Sequence, residues 1–371
     1  MTRVISPRFD FNAQLFLDEY WQKRPLLIKN ALPSFQSPIS PEELAGLAIE
    51  GEVDSRIVSR VNHQWQLEQG PFVDADFLRD GEWSLLVQRV NEWFPEVDAL
   101  RGCVDFLPSW RFDDVMVSYA TDGAGVGPHF DQYDVFLLQG AGQRVWKVGA
   151  RCDVATPTID ADGLTLIEEF DADQMHLLSP GDALYIPPGF AHWGTAVGES
   201  MTFSIGFRAP RLADLVARLS DSVIDSLRED LLLEDKESMR VQARPGEITE
   251  QHLINARTAV FNAMEALSDS DWFPELLSET DEEPPVNEEP MTPSVALVPN
   301  QRLLWRDMGD HIAVFLSGRK YRLLLSDEIM LVTLSSGQSL ATSQLTGSQV
   351  DVLQEWWSLG FIEEPQVDTA H

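Results

Sequence analysis

From about Asp114 to Arg208 the chain is built of short β-branched and aromatic runs, at residues 115–119, 133–138, 144–148, 183–186 and 201–207. Clusters of Gly, Pro and Asp separate them. Runs of that length and composition, punctuated by turn formers, suit strands better than helices. Their density predicts a mainly β fold with helices around it: a barrel or jelly roll with its core at about residues 100–208. At 371 residues the chain exceeds what one hydrophobic core organises, so further domains are expected.

Helical signals flank this core. Ser40, Pro41 and Glu43 supply an N-cap, a proline at the first helical position and a capping-box glutamate before Leu44 and Leu47. Leu86, Val87, Val90, Trp93 and Phe94 recur at helical spacing and predict a second helix over residues 83–94. After Pro210 a stripe of Leu212, Leu215, Val216, Leu219, Val223 and Leu227 predicts another, and a further helix fits residues 249–267. Residues 278–294 combine carboxylates with prolines and are too polar to form a core of their own, which predicts a linker. Apolar runs at 303–305, 311–316, 320–324 and 329–334 precede a periodic stretch around Val350, Leu353, Trp356 and Trp357. A small α+β, winged-helix-like domain fits them. The resulting division is 1–208, 209–277, 278–295 and 296–371.

Sixty acidic against 27 basic residues leave a formal charge of −33. Such a surface repels nucleic acid phosphates and anionic lipid, and it attracts a basic protein or peptide. The last domain follows suit: residues 296–371 hold five Lys/Arg and nine Asp/Glu, without the basic face that phosphate contact requires. No run of eighteen apolar residues and no apolar leader occurs, so neither a membrane span nor export is expected, and the protein is placed in the cytoplasm. Cys103 and Cys152 show no framework spacing and are read as packing thiols.

The residues that carry chemistry lie in Gly-Val-Gly-Pro-His129-Phe-Asp131-Gln-Tyr-Asp. A histidine and a carboxylate two apart on a strand point to the same face, where both can meet one ion. His192, which follows the Pro187-Pro188-Gly189 turn 61 residues after Asp131, offers a third ligand. Two histidines and one carboxylate leave one face of an octahedral iron(II) open for a bidentate cosubstrate and dioxygen, which a closed structural zinc site does not. Between these ligands Arg144 can hold a carboxylate bidentately, as the far end of 2-oxoglutarate requires. Lys147 competes for that role, but alternation lets only one of the two face inward. His63, His176, His252, His311 and His371 lack partners at ligand spacing, and glycines 123, 125 and 127 are read as a turn into the ligand strand.

Beyond the site, Trp21-Gln-Lys-Arg-Pro25, Ser37-Pro-Ile-Ser-Pro-Glu-Glu-Leu44, Gly125 to Phe136, Gly181 to Phe190 and Gly206-Phe-Arg-Ala-Pro210 resemble the bacterial JmjC-type ribosomal oxygenases over nearly the whole chain. The resemblance implies a cupin-like double-stranded β-helix, a helical dimerisation region giving a homodimer, and a winged-helix-like C-terminal domain. It implies hydroxylation at the β-carbon of an arginine in a basic large-subunit ribosomal protein, the sixteenth of its series, with iron(II), 2-oxoglutarate and dioxygen. His129, Asp131 and His192 match the family's metal ligands and Arg144 its cosubstrate anchor. Asp114, Tyr133 and Ser204 match the residues that hold the substrate guanidinium, although Asp114 can also be read as a strand-start cap. The alternatives are a JmjC protein demethylase, a zinc-dependent cupin isomerase, or a non-catalytic jelly roll that keeps a metal and binds a basic partner.

Overall fold

Two strands of eighteen residues organise the first half of the chain in a computed structural model of the protein. The structure describes residues 7–234, 244–280 and 283–365. Its first unit, Met1–Ala209, contains α1 (Ala13–Glu19), β1 (Leu26–Ile28), α2 (Pro41–Ile49), β2 (Ser55–Val61), β3 (Gln64–Gln69), β4 (Glu82–Val87) and a short α3 (Pro95–Asp98). Then come β5 (Phe112–Ala120), β6 (Asp134–Arg151), β7 (Thr158–Ala161), β8 (Leu164–Ile167), β9 (Ala172–Leu178), β10 (Ala183–Ile186) and β11 (Phe190–Phe207). The strands form one antiparallel sheet in the order β1-β10-β6-β11-β5-β4-β2-β3, with β9 also on β6 and β7–β8 as a separate hairpin.

The sequence predicts two strands at 133–138 and 144–148, and the structure joins them into β6. The glycines between them make a bend. Gly142 has φ +61°, and a Cβ there would stand 1.9 Å from the Glu199 carbonyl oxygen, so only glycine fits. β11 runs beside β6 from Phe190 opposite Arg151 to Phe207 opposite Asp134, and its register slips between Val197 and Met201, at the same bend. Before the bend β6 pairs with β10, and beyond it with β9. This fork lets one pair of long strands serve both walls of a jelly roll.

Alternation along the strands separates two cores. Phe136, Leu138, Phe203, Ile205 and Phe207 face outward and are covered by Phe9, Phe16, Leu44 and Leu47 of the N-terminal segment. Val135, Leu137, Trp146, Val148, Leu184 and Ile186 face the interior. Asp134 fastens the N-terminal segment to the strands. Its buried carboxylate accepts from Tyr185 Oη at 2.5 Å, Gln22 Nε2 at 3.0 Å and Arg111 Nη2 at 3.3 Å.

The α2 capping box is present: Ser40 Oγ accepts from the Glu43 amide, and the Glu43 carboxylate from the Ser40 amide. The helix expected over 83–94 is instead β4, paired with β2 and β5, followed by a 3₁₀ turn at Val90–Glu92. Residues 83–87 are buried on both faces. Such a strand has no polar alternation, so its apolar run reads equally as helix. Strands β7 to β9 were not anticipated; most of their residues are exposed, and polar and apolar positions mix without a clear buried face.

The second unit, Pro210–His371, opens with α4 (Leu212–Ser226), α5 (Glu250–Leu267) and α6 (Trp272–Ser278). Both helices predicted after Pro210 are present. The stripe on α4 is partly uncovered: Val223 is buried and Leu215 and Leu219 half-buried, but Leu212 is 74% exposed and Val216 and Leu227 are also open. Three strands, β12 (Ser294–Leu297), β13 (Leu304–Asp307) and β14 (Ile312–Leu316), precede β15 (Arg319–Leu323), α7 (Glu328–Ser335), β16 (Leu340–Ala341), α8 (Gly347–Ser358) and β17 (Ile362–Glu363). Val295, Leu316, Leu331, Leu334, Leu353 and Trp356 form their core. The acidic, proline-rich stretch lies against this core among the described residues. Trp357 Nε1 donates to the Glu289 carbonyl at 2.7 Å, and Met291 packs on the cluster.

Phe136 is fully buried, with ring centroids of Phe16, Tyr185 and Phe9 within 4.9–5.8 Å. Phe136→Ala is expected to lower the unfolding free energy by about 3–5 kcal/mol. Urea unfolding followed by tryptophan fluorescence reads this directly, and a loss below about 1 kcal/mol would place the core elsewhere.

Candidate metal centre

The segment between β5 and β6 runs antiparallel beside the first half of β11. The Gly123 amide donates to the Ala196 carbonyl and the Ala196 amide to the Ala124 carbonyl, at 3.1 and 2.9 Å. His129 and His192 then exchange backbone hydrogen bonds at 3.0 and 2.8 Å, and the Gly189 amide donates to the Asp131 carbonyl at 2.7 Å. The sequence predicts a regular strand for His129 and Asp131, and here the structure differs: the only ladder contact is the isolated bridge His129–His192. Pro128 has no N–H to give. A Cβ at Gly125 would stand 2.1 Å from the Gly194 carbonyl oxygen. Gly127 has φ +82°, and a Cβ there would lie 2.9 Å from Leu166 and 3.2 Å from Trp65. Gly123 does sit in a turn, with φ +78° and the Ala124 amide donating to the Thr121 carbonyl at 3.0 Å, whereas Gly125 and Gly127 are close-approach positions that let the segment lie flat.

This pairing places His129, Asp131 and His192 so that one ligand atom from each lies within 4.8 Å of the other two. Among the described residues it is the one such group of three. Asp131 Oδ2 is 3.8 Å from His129 Nε2 and 3.5 Å from His192 Nε2. Each ring is oriented from behind: His129 Nδ1–H donates to the Gly127 carbonyl at 3.0 Å, and His192 Nδ1–H to the Phe190 carbonyl at 2.9 Å. Those bonds fix the tautomer and turn both Nε2 lone pairs toward the carboxylate. Burial, with His129 adding to it, holds the His192 pKa down to about 4, so the ring is neutral near neutral pH. Two neutral imidazoles and a carboxylate are the donor set that a first-row divalent metal takes with positions left open.

On the same face stands Arg144, only 5% exposed, opposite Ala196, while His192 is opposite Val148. Four residues along a strand span about 13 Å. Trp146 lies between, buried 5.9 Å from the His192 ring. Lys147 faces the other way, its Nζ 4.9 Å from the Trp193 ring centroid. Arg144 is a buried cation held by hydroxyls alone: Nη1 donates to Ser118 Oγ at 3.1 Å and Nη2 to Ser200 Oγ at 3.2 Å. No carboxylate pairs with it among the described residues, and burial pulls its pKa down to about 10. A charge in that state stabilises nothing until an anion joins it.

Asp114 begins the same wall on β5. Its Oδ2 accepts the Arg89 amide at 3.0 Å, and burial pushes its carboxyl up to about 6, with the Asp113 charge raising it further. Burial first, and then the charges of Asp131 and Asp114, hold the Tyr133 hydroxyl above the usual range. Ser204 is buried on β11, opposite Met116 of β5 and Leu137 of β6. No hydrogen bond links Asp114, Tyr133 and Ser204 among the described residues. Ser118 and Ser200 escaped the sequence reading. Alternation from Asp114 through Met116 puts Ser118 on the inner face, but nothing in the sequence shows that the slipped register brings Ser200 beside it. His63, His176, His252 and His311 stand outside the group, and His371 lies outside the described residues.

A model of the JmjC domain matches residues 99–215. Over 266 residues, 71% of this chain and 71% of the relative, the sequence is 41% identical to the ribosomal protein uL16 3-hydroxylase of Escherichia coli. The X-ray structure of E. coli YcfD superposes with a TM-score of 0.83 at 33% identity, covering 97% of this chain and 100% of that one. A structure of the E. coli ribosomal oxygenase YcfD in complex with cobalt and 2-oxoglutarate superposes with a TM-score of 0.80 at 34% identity, covering 96% and 99%. The chain therefore belongs to the YcfD-type JmjC ribosomal oxygenases.

Proposed function

We propose that this protein is an iron(II)- and 2-oxoglutarate-dependent oxygenase that hydroxylates the β-carbon of an arginine in the large-subunit ribosomal protein uL16. The observation that carries this reading is the pairing of an open two-His, one-carboxylate set with a buried arginine that has no anion of its own, on one face of one sheet. A five-carbon diacid fits between them, one end at the metal and the other at Arg144. The family adds the acceptor, and the −33 charge favours the approach of a basic one.

In this reading His129 Nε2, His192 Nε2 and the Asp131 carboxylate hold the iron. When bound, the iron couples decarboxylation of 2-oxoglutarate to insertion of one oxygen atom of O2 into a C–H bond. Arg144 pairs with the far carboxylate of the diacid, and Ser118 and Ser200 keep its guanidinium flat against that end. Trp146 and Leu137 keep water off the interior wall. Asp114 receives the substrate guanidinium, with Tyr133 and Ser204 beside it, so the arginine side chain lies extended and its β-carbon faces the metal. The protein contributes position, and the chemistry belongs to the metal and cosubstrate. A ribosomal acceptor puts the reaction in the cytoplasm, and no helix among the described residues is long and apolar enough to cross a membrane. The partly uncovered stripe on α4 supports a homodimer through the helical region at 209–277, and the final unit is read as winged-helix-like.

Incubation with uL16, iron, 2-oxoglutarate and oxygen should add one oxygen to a single arginine, mapped by tandem mass spectrometry, and Asp131→Ala should abolish it in a folded protein. Loss of a methyl group from a methylated substrate, or oxygen added by Asp131→Ala, would contradict the reading. Arg144→Ala is expected to raise the 2-oxoglutarate KM about 10–100-fold, the worth of a charge-assisted pair, while Lys147→Ala leaves it unchanged. Arg144→Met should not lower the Tm, because the buried charge has no carboxylate partner to lose. Guanidinium binding requires ionised Asp114, whose pKa is about 6. The substrate KM should therefore be flat above neutrality and climb as pH falls through 6, whereas an Asp114→Asn variant should have a high KM at every pH.

A further inference from the structure

Beyond β5 the sheet continues through β4, β2 and β3, and its inner face carries two cations with no part in the metal centre. Arg56 and Arg60 lie on β2 with Val58 between them, so they share one face, about 13 Å apart along the strand. Ser118, which holds Arg144, is opposite Leu86 of β4, and Leu86 is opposite Arg56. Residues directly opposite in a ladder point the same way, so Arg56 faces as Ser118 does, two strands or about 10 Å away. Arg60 is opposite Trp65 of β3, and its guanidinium lies 5.3 Å from the Trp65 ring centroid. Trp65 in turn packs on the metal-binding segment: a Cβ on Gly127 would stand 3.2 Å from Trp65 Cζ2. The two arginines therefore border the interior beside the metal ligands. Arg56 lies toward the hydroxyls that hold Arg144, and Arg60 toward the segment that carries His129.

Neither arginine is neutralised. Both are half-buried, the Nε of each is shut from water without an acceptor, and neither side chain makes an ion pair among the described residues. In a chain of 60 acidic and 27 basic residues, that is not for want of carboxylates. Glu82 is opposite Arg60, yet its carboxylate lies against Gly123, and Glu68 of β3 pairs with Arg79. Burial raises the Tyr133 pKa, and the charges of Arg208 and Arg56 pull it back, so Arg56 is within electrostatic reach of the residue two after Asp131. Packing of the stems accounts for the burial, but not for two like charges kept on one face without a counter-ion.

We propose that Arg56 and Arg60 form a second substrate subsite, which binds oxygen atoms, carbonyl or carboxylate, of the peptide stretch that flanks the modified arginine. A guanidinium offers a planar fork of donors that either source fills, and the Trp65 ring supports the fork of Arg60. The spacing of about 13 Å is the length of four extended residues, so one stretch can meet both. The pair also repels. The −33 charge draws basic residues toward the protein elsewhere, whereas a lysine laid on β2 meets two fixed cations. The subsite thus selects the register in which the peptide enters. This inference rests on the reading of uL16 as the substrate.

The test measures binding of a fluorescein-labelled uL16 peptide, centred on the modified arginine, to the cobalt- and 2-oxoglutarate-loaded protein by anisotropy. Arg56→Met and Arg60→Met keep the packing stem and should each raise the peptide Kd about 3–10-fold, with cobalt and 2-oxoglutarate binding unchanged. Lysine placed at each flanking position in turn should weaken binding to the wild-type protein on one flank only, and each variant should reduce that penalty. A glutamate scan then separates the sources: tighter binding at the penalised positions marks a carboxylate, and unchanged binding marks main-chain carbonyls. Peptide Kd values unchanged in both variants, or a lysine scan with no penalised position, would overturn the subsite. The wild-type scan decides even where a variant does not fold. If the peptide binds with the expected pattern but mass spectrometry finds no added oxygen, the proposed reaction fails and the subsite stands. If no peptide binds, both fall.

Discussion

The reciprocal backbone pairing of His129 with His192 is the contact on which the site depends. The two histidines are far apart in the chain and meet because the segment before β6 lies flat on β11. Three requirements converge there: a proline without an N–H, a glycine under the Gly194 carbonyl, and a glycine wedged against Leu166 and Trp65. With the backbones pinned, carbonyls two residues upstream of each ring set its tautomer. The metal-binding geometry is thus built by main-chain bonds that stand without the metal. That is the preorganisation a site with open coordination positions requires.

The second constraint is polarity within the barrel. One side of the long strands is aromatic and aliphatic and sits under the N-terminal helices. The other carries the buried Arg144, Ser118, Ser200 and Ser204 and the half-buried Asp114. An unpaired buried cation is costly to keep, and so is a carboxylate raised toward neutrality. Fold stability alone does not account for either. In the proposed function both are halves of ion pairs completed from outside, one by a diacid and the other by a guanidinium.

Much of this was legible in the sequence, and for physical reasons. The Ser40 capping box is local, so α2 could be read from four residues. The alternation of Arg144, Trp146 and Val148 against Lys147 depends only on the period of a strand, so it told that one cation of the two faces inward, and the structure puts Arg144 there. What escaped was non-local. Residues 83–87 are buried on both sides because strands of distant sequence flank them, and their continuous apolar run then carries a helical signal. The bend at Gly142 joins two runs into one strand because the Glu199 carbonyl approaches it, a contact with no sequence signature. Ser200 owes its place to a register shift in β11, and shifts of that kind are invisible to pattern reading.

The central claim is that the His129, Asp131 and His192 set holds a metal whose cosubstrate reaches Arg144. A crystal of the protein grown with cobalt and 2-oxoglutarate tests it in one measurement. The account predicts a single strong anomalous peak within coordination distance of the two Nε2 atoms and the Asp131 carboxylate, with the diacid ending on the Arg144 guanidinium between Ser118 and Ser200. A strongest peak elsewhere in the protein, or a diacid directed to Lys147, would contradict it.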